Sequence, residues 1–265
     1  MSMRVIVAGT AGRMGREIVS AAAQMPDVTI VGGLVRPGGA TGDNRCYESA
    51  GTAERTATLS DGRSLLAAAD VLIDFTTPKG TSAYAKACAE AGIAFVTGTT
   101  GLAASDLDEL QAAATRVPVF YARNMSLGVA TLLDALPAIA AALRGFDIEI
   151  VETHHRHKAD APSGTALALA EAIAGGLGVV VDDHASFGRH GIAPRQRGEI
   201  GIHAVRGGGN PGEHQVMFAS DGEEIRLSHR SFSRRAYAEG ALRAASFVVG
   251  RAPRLYGVED LLRPG

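Results

Sequence analysis

Residues 7–15 read VAGTAGRMG, and they follow directly on the apolar run that begins RVIV at residue 4. Gly9, Gly12 and Gly15 are spaced GxxGxxG, between a short β-branched strand and a helical pattern over residues 13–24. Glycines at such a junction permit a tight turn and a close approach of backbone to a ligand. The helix start then offers free N–H groups and the positive end of its dipole to a pyrophosphate. A glycine trio alone is a weak signal. Its place at the first strand–loop–helix junction favours dinucleotide binding over a plain tight turn.

The flanking pattern extends this reading. VTIVGGLV (28–35), VLIDF (71–75), AFVTG (94–98) and VPVFYA (117–122) read as further strands, with helical stretches at 78–92 and 105–115. Continuous apolar strands that alternate with helices predict an α/β fold, a Rossmann-type doubly wound parallel sheet covered on both faces. Residues 36–63 are polar and Gly-rich and predict a loop with at most one short strand. The loops DFTTP (74–78) and GTTG (98–101) fall at the carboxyl ends of their strands, where such sheets bind ligands. Thr76 or Thr77, before Pro78, also makes a good helix start.

The pattern changes after residue 126. A helix is predicted over 127–143 despite Pro137, then a strand over 146–155 and a helix from 163. The segments EIGIHAVR (199–206), HQVMFAS (214–220) and EEIRLSHRS (223–231) follow, with Asp221–Gly222 marking a hairpin between the last two. A final helix is expected over about 235–250. The expectation is a second α+β domain built on a mixed open sheet.

Composition narrows the function. Lys and Arg number 26 against 28 Asp and Glu, a net charge of -2, which argues against general nucleic-acid binding. The opening MSMRVIVAG fits no signal peptide, and no apolar run reaches the ~18 residues of a membrane span. Cys46 and Cys88 lie far apart, with no disulfide framework and no CxxC pair, so a cytoplasmic location is expected.

One stretch stands out from this balance. Residues 154–158 read HHRHK, followed by ADAPSG. A solvated basic loop is one reading. A metal site is disfavoured, because Arg156 and Lys158 are fixed cations beside the imidazoles, and no metal is expected. A nucleic-acid patch is disfavoured by the shortness of the run. The functional reading is a site for a small polyanion that also needs a proton. Lys and His donate charge-assisted bonds to carboxylates, and cationic neighbours lower a histidine's pKa. Asp160 or Ser163 can cap the next helix, and Pro162 suits its first turn. Ser163, Gly164 and Thr165 would then present N–H and hydroxyl groups to the anion.

VAGTAGRMGREI, DFTTP, GTTG, ARNMSLGV, ETHHRHKADAPSGTAL, VRGGGNPGEHQV and SHRSFSRRAYAEGAL occur in this order across nearly the whole chain. Together they resemble the bacterial dihydrodipicolinate reductases, and HHRHKxDAPSGTA is the most specific of them. The resemblance implies a two-domain, usually tetrameric, NADPH- or NADH-dependent reductase of a cyclic imine dicarboxylate in the diaminopimelate route to lysine. It implies that His154 and Lys158 are the acid/base residues, and that His155, Lys158, Gly164 and Thr165 hold the substrate carboxylates. It assigns the cofactor to Gly9, Thr10, Ala11, Gly12, Arg13 and Met14, to Gly98, Thr99 and Thr100, and to Ala122, Arg123, Asn124 and Met125. It also implies that residues 1–126 form the dinucleotide domain, that 240–265 return to it, and that 127–239 bind substrate and make the oligomer. Members that prefer NADH commonly carry an acid at the end of strand two. Here Val35 stands there with Arg36 beside it, so NADPH is expected to serve at least as well as NADH. Two other readings, a different two-domain dehydrogenase and a non-catalytic NADPH sensor, share the glycine loop but have no need of the His–Lys cluster.

Overall fold

Four consecutive residues of the first strand, Val5 to Ala8, are almost wholly buried, as expected of a parallel strand covered on both faces. The computed structural model describes residues 2–35, 56–57 and 63–263. Two compact units divide the chain: Met1–Ser126 with Arg234–Gly265, and Leu127–Ser233. The return to the first unit thus begins at residue 234, six residues before the boundary that the resemblance implies.

In the first unit, among the described residues, seven parallel strands are ordered β12-β6-β5-β4-β1-β2-β3. They are β1 (Met3–Ala8), β2 (Val28–Leu34), β3 (Thr56–Ala57), β4 (Val71–Asp74), β5 (Ala94–Thr97), β6 (Val119–Tyr121) and β12 (Leu255–Tyr256). Alternate residues sort to opposite faces. Val5, Val7, Ile73, Val96 and Phe120 pack beneath α1 (Arg13–Ala22) and α7 (Arg235–Val248). Ile6, Leu34, Leu72, Phe95 and Val119 pack on the other face against α2 (Arg63–Leu66), α3 (Pro78–Ala91) and α4 (Ala104–Ala114). The strand order reverses around β1, which lies between β2 and β4, so the loops after β1, β4, β5 and β6 share one carboxyl edge. Between Val35 and α2 only the two residues of β3 are described. Arg36 lies outside the described residues.

The second unit holds a five-stranded mixed sheet ordered β11-β10-β7-β9-β8. Its strands are β7 (Asp147–His154), β8 (Ala185–Phe187), β9 (Ile200–Arg206), β10 (Glu213–Ala219) and β11 (Glu224–Arg230). β7 pairs parallel with β9 and antiparallel with β10. The β10–β11 hairpin turns at Asp221–Gly222, closed by the Ser220 N–H on the Glu223 carbonyl at 2.9 Å. α5 (Leu127–Ala142), which runs through Pro137, and α6 (Gly164–Leu177) cover one face, over Ile148, Ile150, Ile202, Val216 and Phe218. β7 alternates strictly, so Glu152 and His154 lie on that same buried face.

Candidate active site

The glycine loop takes the shape its spacing implies. Gly9 has φ +72°, and a Cβ on Gly15 would lie 2.3 Å from the Gly9 carbonyl oxygen, so neither position admits a side chain. The Gly12 N–H closes the turn on that carbonyl at 2.8 Å. Gly12 caps α1 with no side-chain bond, and the first turn of α1 carries no acid. The N–H groups there are left for a ligand, and Ala11, Gly12 and Arg13 are exposed beside them. Along the same edge Thr100 and Arg123 are also exposed, and Met14 and Asn124 are partly so. Thr10, Gly98, Thr99, Ala122 and Met125 are buried. With the side chains of Thr10, Thr99, Ala122 and Met125 buried and none on Gly98, these positions could offer a ligand chiefly backbone groups. This donor set, a bare helix start with a glycine turn and no acid, fits a dinucleotide.

Asp74 ties two of these loops together. It is fully buried. Its Oδ1 accepts from the Thr76 N–H at 3.0 Å and hydroxyl at 2.6 Å, and its Oδ2 from the hydroxyls of Thr81, Thr97 and Thr99 at 2.5, 2.9 and 3.0 Å. Thr77, not Thr76, caps α3, by accepting from the Gly80 N–H.

In the second unit the cationic stretch begins where β7 ends. His154 is 7% exposed, and its Nδ1 lies 2.6 Å from Glu152 Oε2. Glu152 is fully buried and also accepts from Arg206 Nη1 and Nη2 at 2.7 and 2.8 Å and from the Ser163 N–H at 2.9 Å. Burial alone would raise the Glu152 carboxyl. The Arg206 guanidinium, with His154 and the Ser163 N–H, holds it below the usual glutamate range. Burial pushes His154 below the usual histidine range. Glu152 opposes that, and Lys158 and Arg206 add to it. The cationic neighbours expected to lower this histidine therefore act, but they are secondary to burial.

Lys158 donates to both oxygens of Asp160 at 2.8 Å. That ion pair depresses Asp160, but its carboxylate is well exposed, and such pairs exchange readily for another anion. Asp160 does not cap α6, and Pro162 precedes the helix instead of entering its first turn. Ser163 is the cap, accepting from the Ala166 N–H. Ser163 does not present donors to an anion as expected: it is 2% exposed, its N–H is taken by Glu152, and its hydroxyl lies 3.0 Å from His214 Nε2. Gly164 is exposed at the helix start and Thr165 is partly exposed, and the first turn of α6 holds no acid. The Nδ1 of His155 is buried without a hydrogen-bond partner, an orphan that a bound group would satisfy. His214 packs edge-on to His154 at 5.2 Å, and burial pushes it down to about 4. Glu152, Arg206 and His214 had no role assigned from sequence, although Arg206 and His214 lie within VRGGGNPGEHQV. The i, i+2 spacing of Glu152 and His154 on one strand was the readable signal.

Residues 3–125 match the family model described as dihydrodipicolinate reductase, N-terminus, and residues 128–262 match dihydrodipicolinate reductase, C-terminus. A curated 4-hydroxy-tetrahydrodipicolinate reductase from Rubrobacter xylanophilus is 46% identical over 268 residues, covering 98% of each chain. One of the same description from Thiobacillus denitrificans is 43% identical, covering 99% of each. Among solved structures, a dipicolinate-bound dihydrodipicolinate reductase from Paenisporosarcina sp. TG-14 superposes with a TM-score of 0.75 at 24% identity, over 97% of this chain and 98% of that one. An amine dehydrogenase from Mycobacterium smegmatis superposes at 0.64 with 14% identity, over 98% of this chain and 96% of that one. At these identities the structures support the fold alone.

Proposed function

The chain belongs to the dihydrodipicolinate reductase family, and on that premise we propose how its two units divide the work. It carries out NAD(P)H-dependent reduction of 4-hydroxy-tetrahydrodipicolinate in the diaminopimelate route to lysine. The first unit is the dinucleotide domain. Its glycine turn and bare α1 start hold the pyrophosphate, flanked by the loops at Gly98–Thr100 and Ala122–Met125. The bound, reduced nicotinamide supplies a hydrogen with its electron pair to the substrate ring.

The second unit binds the substrate. Its two carboxylates meet Lys158, His155, and the α6 start at Gly164 and Thr165, while Ser163 sets that helix in place from behind. Lys158 trades Asp160 for a substrate carboxylate. A ring that gains a hydrogen with its electrons also needs a proton. His154, neutral at neutral pH and paired through Nδ1 with Glu152, takes up and delivers that proton, with Lys158 as its cationic partner. The observation that carries this reading is the junction at which a buried His–Glu pair, a lysine and the exposed, acid-free start of α6 converge. In an NADPH-oxidation assay, with the imine made in situ by the preceding synthase, His154→Ala and Lys158→Ala should each cut turnover roughly 10²–10⁴-fold. Near-full turnover in both, with the fold intact, would remove the assignment.

Cofactor choice rests on Val35 and Arg36. Val35 is buried beyond β2 and offers no acid to repel a 2′-phosphate. NADPH is used at least as well as NADH, and Arg36→Ala weakens NADPH more than NADH, by about 1–3 kcal/mol. An unchanged ratio of catalytic efficiencies would place the reading of the ribose elsewhere.

The chain assembles as a homotetramer through the second unit. One face of its sheet carries helices. The other presents Val151, Met217 and the 46%-exposed Val205 among the charged and polar side chains of Glu149, His203, Gln215 and Arg226, a mixed face of the kind that a second copy can cover. Light scattering at micromolar concentration that returned the monomer mass would overturn this. The cytoplasm is its location. Among the described residues no helix is long and apolar enough to cross a membrane, and Cys88 is an unpaired, buried thiol.

A further inference from the structure

Every hydrogen bond to Glu152 comes from a group that donates. Oε1 accepts from the Ser163 N–H and Arg206 Nη2, and Oε2 accepts from Arg206 Nη1 and His154 Nδ1. A guanidinium and a backbone amide can only donate, so they hold the carboxylate in its acceptor state. An acceptor 2.6 Å from Nδ1 requires that nitrogen to carry the ring's hydrogen. In a neutral imidazole the lone pair is then on Nε2. In the imidazolium, Nε2 bears the only proton that can leave without breaking the pair. Nε2 is therefore the exchanging position in both states.

We propose that Glu152 is the positioning residue of this site: it fixes the tautomer and orientation of His154, so that Nε2 is the sole route for the proton, and it pins the anion-binding start of α6 through Ser163. The inference rests on the acid/base reading of His154 given above. It also accounts for burying a charge on a strand whose neighbours on that face, Ile148 and Ile150, are apolar. Arg206 compensates that charge from β9. The other groups facing His154 are Lys158 on the following loop and His214 on β10, and His214 stays neutral over the working range. One carboxylate thus sets the proton carrier and the cradle for the substrate's charge in a common frame.

The experiment uses the full-length protein with ¹⁵N-labelled histidine. In the wild type at neutral pH, the His154 resonances should show a protonated Nδ1 and an unprotonated Nε2. The reverse assignment overturns the proposal without need of any variant, so it remains decisive even if a variant misfolds. Glu152→Gln brings an amide N–H to the site and removes the charge. Turnover should fall roughly 10²–10⁴-fold, the upper end being that of a wrong tautomer, with a smaller change in the Michaelis constant. The limb of the pH–rate profile on which activity is lost as pH rises through the His154 pKa should move to lower pH, because the carboxylate favours the protonated ring. In a His154→Ala background the same change should cost little further turnover. An equal loss in both backgrounds, or an unmoved pH profile, would mean that Glu152 serves only the fold. If His154→Ala alone keeps full turnover, the acid/base reading itself fails, a result distinct from a silent Glu152→Gln.

Discussion

Asp74 and Glu152 are both fully buried acids close to the carboxyl end of a strand, one in each unit, yet they are satisfied by opposite kinds of partner. Asp74 is surrounded by four threonine hydroxyls and one N–H. A hydroxyl can rotate and accept as readily as it donates, and it does not titrate near neutral pH. Glu152 faces a guanidinium, an imidazole and an amide N–H, of which only the imidazole can reverse its role. The first acid is a pin between the loops that follow β4 and β5. The second is wired to a group that exchanges protons.

The largest expected effect breaks the Glu152 side. Arg206→Ala leaves a buried carboxylate short of its main cation, at a cost of about 3 kcal/mol at neutral pH. The wild-type Glu152 pKa is depressed, so its contribution is present above the ordinary glutamate value and is lost as pH falls through the folded one. Urea denaturation should therefore show a gap between Arg206→Ala and wild type that narrows toward acid pH. A gap independent of pH would mean that the guanidinium acts by packing alone.

A comparable effect comes from His214. Its folded pKa of about 4 lies below the unfolded value near 6.5, so the unfolded chain binds the proton first as pH falls. Stability should decline between about pH 6.5 and 4, by up to about 3 kcal/mol. Thermal melts across that range should show a shallower decline for His214→Gln, and an unchanged slope would show that other groups carry the acid sensitivity.

Asp74→Asn is the smallest effect and the sharpest test of the contrast. The hydroxyls can turn to meet the amide, so the change should cost about 1 kcal/mol, and less than Glu152→Gln under the same conditions. Because Thr76 and Thr99 set the loops beside the glycine turn, NADPH affinity should fall by a few-fold, measurable by calorimetry. If Asp74→Asn proved the more damaging of the two, rotatable partners would not be the reason Asp74 is tolerated in the core.

The sheet of the first unit was legible because its strands are continuous apolar runs and its glycine turn falls in the required context. β8 and β12 escaped because two or three residues cannot show a period, and the short strand allowed for within 36–63 is β3, whose two residues the pattern could not place. In the second unit, the alternation of DIEIVETH reveals which residues share a face. It cannot reveal that Glu152 meets Arg206 from 54 positions away, or that Ser163 meets His214 from 51. The same holds for Asp74 and Thr99, 25 apart. His154 and Lys158 stood out through their residue types, and Glu152 and Asp160 lie two positions from them, whereas Arg206 and His214, which complete the surroundings, are distant in sequence. The return of the chain after residue 233 came from family resemblance, because an Ala-rich helical pattern states that a helix forms and not which sheet it covers.

That return bears on the order in which the molecule is made. Val5, Val7, Ile73, Val96 and Phe120 are covered by α1 together with Ala238, Ala241, Leu242, Ala245 and Val248 of α7. As the ribosome releases the chain, this half of the first core has only α1 as a lid until more than a hundred further residues have been translated. The second unit is continuous over Leu127–Ser233 and can close by itself in the interval. Vectorial synthesis thus favours the later domain folding first, while the earlier one, with an apolar sheet face only partly covered, depends on chaperones or on speed until α7 arrives.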